Sequence, residues 1–170
     1  MKLSEKKLKQ GAEHVYYEIS MFCFTTQEFA SNRNYTNTMA GLESWCIHLR
    51  NLLDFFYTPS SKRSGRNDDM LAEDYVSDLK QFKRGRTGTM KFTGIKKRVG
   101  KQIAHMTYHR NIYNKRTKLW HYPRIFAKLQ PTIIAFYESL PKHRKKWLHF
   151  IELKKIIDAY SAQTKIVQLT

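Results

Sequence analysis

A chain of 170 residues, 41% apolar and 14% aromatic, is long enough for one domain with a real core and too aromatic for a disordered segment. Seven Gly and four Pro are too few for an all-β fold of many tight turns, and no apolar run nears the roughly 20 residues that cross a bilayer. The net charge of +17 makes a polyanion the natural partner.

Residues 4–31 predict a first helix. Ser4 can cap it, and Leu8, Ala12, Val15, Tyr16, Ile19, Phe22 and Cys23 recur at helical spacing. No apolar stretch follows the basic start MKLSEKKLKQ, so no secretory signal is expected and the protein is placed in the cytoplasm. Cys23 and Cys46 have apolar neighbours and are expected as buried, reduced thiols. SNRNYTN, residues 31–37, reads as a turn, and a second helix follows to about Phe56.

TPSSKRSGRND, residues 58–68, has loop composition and is expected to be mobile. DDMLAEDYVSDLKQF predicts one short acidic helix, and RGRTGTM, residues 84–90, a second mobile loop. A long helix is expected from about Phe92 to Tyr113, with Gly94 and Gly100 as weak points. NKRTKLWHYPR is a connector. Pro123 suits a helix start, and Pro131 breaks or restarts that helix. Pro141 opens a last helix, PKHRKKWLHFIELKKIIDAY. With no internal repeat, long heptad run or strand alternation, residues 1–170 are expected to form a single all-α bundle of five or six helices.

Charge divides the chain. Residues 1–78 carry nine Lys/Arg and eleven Asp/Glu, whereas residues 79–170 carry 22 and three. From residue 79 to residue 137 there are fifteen basic residues and no acid. RNA or DNA is therefore the expected partner, through Lys83, Arg84, Arg86, Lys96, Lys97, Lys101, His109, Lys142, Arg144, Lys145 and Lys146. An anionic membrane surface or an acidic protein partner is the alternative. In KHRKKW, positive charge opens a helix against its dipole, which points to a function or to an anionic partner.

Two helices carry candidate chemistry. On the second, Leu42, Trp45, Cys46, Leu49, Leu52, Leu53 and Phe56 form the core face. Glu43, Arg50, Asp54 and Tyr57 form a narrow polar seam in which Arg50 can pair with Asp54. In GKQIAHMTYHR, residues 100–110, Arg110 shares the apolar face of Ile95, Val99, Ile103, Met106 and Tyr113. A buried Arg needs a carboxylate, so this helix is expected beside the second one, with Arg110 near Glu43 and Asp54.

Arg98, His105 and His109 form an adjacent stripe with several uses open to it. The i, i+4 histidines could reach one metal ion, but a third ligand is missing and no metal or cofactor is expected. A His could move the proton of a ribose 2′-OH while an Arg stabilises the charge on phosphorus. The same groups could bind nucleic acid without cutting it, or form a structural edge of the core.

ESWCIHLRNLLDFFY, DDMLAEDY and KQIAHMTYHR together resemble a group of small bacterial helical proteins, over about residues 38–113. Their shared pattern is Glu, then His and Arg on one helix with an aromatic end, then Ala-Glu-Asp-aromatic, then Ala-His-Leu-Thr-Tyr. More distantly, KQIAHMTY resembles the RNxxAHxY region of HEPN domains. Those are helical bundles, often dimeric, and many are metal-independent ribonucleases of toxin–antitoxin, CRISPR and phage-defence systems. The resemblance implies a HEPN-like bundle, a homodimer, RNA as substrate and endoribonuclease chemistry by Arg98 and His105, supported by Arg110, His48 and Arg50. His105 and Tyr108 fit the motif. Its Arg, five before the His, is Gly100 here, and Arg98 stands seven before. Arg98–His105 is therefore Arg-x6-His, the loosest form of the motif, whereas Arg116–His121 and Arg144–His149 have Arg-x4-His spacing.

Overall fold

A computed structural model describes residues 3–31, 35–62, 68–104, 108–112 and 120–167. Among these residues every regular element is helical, and eight are α-helices. The all-α expectation holds, although the α-helices outnumber the five or six expected because two of the expected helices are each split in two.

Helix α1, Glu5–Ser31, and helix α2, Tyr35–Tyr57, run as the apolar spacing predicts. Ser4 caps α1, its Oγ accepting from the Lys7 N–H at 3.3 Å. The expected core faces of both helices are buried, with Tyr16 alone left at the edge. A polar stitch joins them: Trp45 Nε1 donates to Thr26 Oγ1 at 2.8 Å, and Thr26 Oγ1 donates to Phe22 O at 2.6 Å. That chain satisfies the buried indole N–H.

The acidic segment forms two helices rather than one, α3, Ala72–Tyr75, and α4, Leu79–Gly85. Both the N–H and the Oγ of Ser77 donate to Ser139 O, at 2.9 and 3.0 Å, which takes the backbone out of the helix. Asp78 then caps α4 through the Gln81 N–H at 2.9 Å. The long helix expected over 92–113 is also broken. It becomes α5, Thr93–Val99, a π-turn over Gly100–Ala104 and a 3₁₀ turn over Tyr108–Ile112. Gly100 supplies the weak point, because glycine holds a helix less well than any residue but proline.

Helix α6, Tyr122–Glu138, starts with Pro123 in its first turn, as expected, but continues through Pro131. A mid-helix proline costs about 3 kcal/mol. Burial of Leu129, Ile133 and Phe136, all fully inaccessible, offsets it at roughly 2 kcal/mol each. The final segment is two helices, α7, Lys142–Trp147, and α8, Phe150–Val167. Between them Leu148 is fully buried and His149 takes a positive φ of 45°. Turning the chain there sends Leu148 into the core, and histidine tolerates that backbone better than most residues.

The core is aromatic. Phe22 stacks between Trp45 and Phe126, with ring centroids 5.7 and 5.8 Å away. Phe136 meets Phe55, Phe56, Phe82 and Tyr75 at 5.2–6.3 Å. Among the described residues no helix is long and apolar enough to cross a membrane.

Candidate nucleic-acid interface

Helix α4 lies so close to α6 that a Cβ on Gly85 would stand 2.7 Å from Ala135 Cβ. Close approach is why glycine occupies that position. The segment after it, expected to be mobile, is latched on both sides. Arg86 Nη1 donates to Phe56 O at 2.6 Å, and its guanidinium lies over the rings of Tyr57 and Phe82 at 5.1 and 5.4 Å. The Thr87 N–H donates to Thr132 Oγ1 at 3.1 Å, and Thr87 Oγ1 to Lys128 O at 2.6 Å. The Tyr57 hydroxyl reaches the same Thr132 Oγ1 at 2.8 Å. The Thr87–Lys128 bond falls in the turn before Pro131.

This latch fixes the frame on which the cations stand. Lys80 and Arg84, four residues apart, share the exposed face of α4. Lys91 is exposed in the turn Thr89–Lys91. Arg124 and Lys128, again four apart, are exposed on α6 beside Thr87, and Lys97 is exposed on α5. Among the described residues none of these six is in an ion pair. Lys80, Lys91, Arg124 and Lys128 are not among the expected contacts, although all lie in the acid-free run from residue 79 to residue 137.

The expected contacts divide by environment. Arg84, Lys97, Lys101, Lys142 and Lys146 are exposed. Lys83 pairs with Glu73 at 2.9 Å, and Lys96 pairs with Asp54. Lys145 Nζ lies 3.5 Å from Glu138 O. Arg86 is used in the latch. Arg144, expected on a phosphate-binding edge, is buried: it forms a forked pair with Glu5 and donates to the carbonyls of Asp74 and Tyr75 at 3.0 and 2.8 Å. Within KHRKKW, Glu5 at the other end of the chain thus pairs with Arg144 and His143. His109 lies in the turn Tyr108–Ile112, and its side chain is outside the described residues.

The candidate catalytic residues are not gathered into one described site. His105 lies outside the described residues, as does the side chain of Arg110. Arg98 lies over the Trp120 ring, 4.0 Å from its centroid, and Trp120 packs edge-on against Trp45 at 5.8 Å. His48 is buried, with Nδ1 2.8 Å from Glu18 Oε2 and its ring against Tyr17. In the expected polar seam, Arg50 is half-buried and Glu43 exposed, while Asp54 pairs across to Lys96 on α5 rather than with Arg50. That cross-helix pair agrees with the expectation that this segment lies beside α2.

The Asp54–Lys96 pair separates two grooves. One, of about 760 Å³, is lined by Glu18, Asp54 and Asp69 over Val15, Leu52 and Leu71. The other, of about 370 Å³, is lined by Lys96, Lys97, Thr58, Thr89 and Thr93 over Leu53, Tyr57 and Phe92. Acid and base therefore occupy opposite sides of one ridge.

Burial pushes the thiols of Cys23 and Cys46 up to about 12, so both stay protonated and inert at neutral pH. Among the described residues no three His, Cys, Asp or Glu side chains gather where they could hold a metal ion. Compared with protein-family models, curated proteins and solved structures, the chain matches none.

Proposed function

We propose that this protein binds nucleic acid, RNA in particular, on the basic face made by α4, α5, the turn between them and the first half of α6. The observation that carries this reading is the pairing pattern. Buried Arg144 and half-buried Arg86 are satisfied within the fold, whereas Lys80, Arg84, Lys91, Lys97, Arg124 and Lys128 are exposed and outside any ion pair among the described residues. Cations without carboxylate partners repel one another and are stabilised by a polyanion that releases its counterions on binding. The choice of RNA over DNA rests on the resemblance of KQIAHMTY to HEPN domains.

The proposal is for binding. Of the five residues expected to support cleavage, Arg98 packs on Trp120 and His48 on Glu18, both as parts of the core edge.

The test is binding of labelled single-stranded RNA in EDTA, with duplex DNA alongside. Binding of intact RNA, weakening steeply with salt, is the expected result. A flat dependence on salt would remove the polyanion. Cleavage by the wild type and not by His105→Ala would replace simple binding with metal-independent nuclease chemistry.

A further inference from the structure

We infer that the 370 Å³ groove between the end of α2 and α5 holds one phosphodiester unit of the bound strand. This inference rests on the nucleic-acid binding proposed above. The volume is at the size of a single nucleotide unit, near the lower end of small-ligand sites. Its floor is apolar: Leu53 and Phe92 are each 3% exposed, and the Phe92 and Tyr57 rings meet at 5.3 Å. Such a floor suits the carbon face of a sugar or base.

The rim suits one negative charge. Lys96 is neutralised by Asp54, which leaves Lys97 as the uncompensated cation of the groove among the described residues. Around it stand the hydroxyls of Thr58, Thr89 and Thr93, none of which has a hydrogen-bond partner among the described residues. One free cation with three hydroxyl donors matches a phosphodiester, which carries a single charge and two unesterified oxygens that accept hydrogen bonds. Among the described residues no carboxylate lines the groove, and Asp54 beside it is already held by Lys96.

Two variants of exposed residues separate charge from hydrogen bonding. Lys97→Ala should lower the slope of log affinity against log salt by roughly 0.7, the value for one single-strand phosphate. Thr93→Val keeps the shape but removes a donor to a charged group, and should weaken RNA binding about tenfold with the slope unchanged. A mononucleotide supplied at equal phosphate concentration should compete poorly, because it lacks the neighbouring contacts along the basic face. Wild-type affinity in both variants, with RNA still bound by the native protein, would overturn the groove assignment and leave the basic face standing. Equal competition by the mononucleotide would overturn the assignment to a strand. Failure of the native protein to bind RNA at all would remove the nucleic-acid reading itself, and the groove assignment with it.

Discussion

Lys96 of α5 closes an ion pair on Asp54 of α2, and the pair marks the line where the acidic groove gives way to the basic one. Both side chains are about half exposed, at 51% and 44%, so the pair contributes at most about 1 kcal/mol to stability. Its larger effect is on charge. Asp54→Asn should leave the urea midpoint nearly unchanged, strengthen RNA binding a few-fold and steepen the salt slope by roughly 0.7, because Lys96 becomes free. Weaker RNA binding in Asp54→Asn would mean that the carboxylate positions Lys96 for the ligand instead of masking it.

Arg144 should behave as a structural residue despite its place in a basic run. Its replacement by Met leaves the buried carbonyl of Tyr75 without a donor and unties α7 from α1. The expected cost is about 2–4 kcal/mol in urea denaturation. Arg144→Lys should recover less than half of it, since an ammonium cannot reproduce the fork. RNA affinity of the folded variants should be unchanged. A loss of affinity without a loss of stability would return Arg144 to the interface.

The Glu5–Arg144 pair also sets a dependence on pH. Hydrogen bonds from Arg144 first, and from His143 after it, hold the Glu5 carboxyl below its usual 4.5. A depressed folded value means the contribution is complete above about pH 4.5 and is lost as pH falls through the folded value. The gap in urea midpoint between the native protein and Glu5→Gln should be constant from pH 7 to pH 5 and close towards pH 3. A gap that persists at pH 3 would show that Glu5 acts through packing rather than charge.

Two glycines on the basic side should respond in opposite ways. Gly85→Ala drives a methyl group into Ala135 and should cost about 1–3 kcal/mol by prising α4 from α6. Gly94→Ala meets nothing within 4 Å and lies inside α5, so it should stabilise by about 0.5–1 kcal/mol. Thermal unfolding of the two variants reads both signs at once. Equal effects would contradict the close α4–α6 contact.

What the sequence made legible follows from the range of the interactions. Helical spacing exposed the core faces of α1 and α2, because those faces repeat every turn. Breaks set by distant partners were hidden. Ser77 leaves the helix to bond Ser139, 62 residues on, and Arg144 turns inward to meet Glu5, 139 residues away. Loop composition located the loop that follows α4 but not its anchoring, since Thr87 and Arg86 find their partners on α6 and α2. Pro131 looked like a stop because its local cost is plain, while the burial that offsets it belongs to the tertiary fold. Of the candidate site, the charge asymmetry was legible directly, as an acid-free run of cations. The i, i+4 pairs Lys80–Arg84 and Arg124–Lys128 were available as a finer signal, since each puts two cations on one helix face. The catalytic expectations drew on motif spacing, and spacing says nothing of whether Arg98 stacks on a tryptophan or faces a ligand.

In the proposed function, the exposed cations around α4 and α6 carry the binding. The most direct measurement is RNA affinity as a function of salt for the native protein and for Arg84→Ala/Lys91→Ala/Lys128→Ala. The triple variant should fold normally, bind more weakly at every salt concentration and lose roughly two from the log–log slope, at about 0.7 for each single-strand phosphate contact. An unchanged slope and affinity in the triple variant would contradict the assignment of nucleic-acid binding to this face.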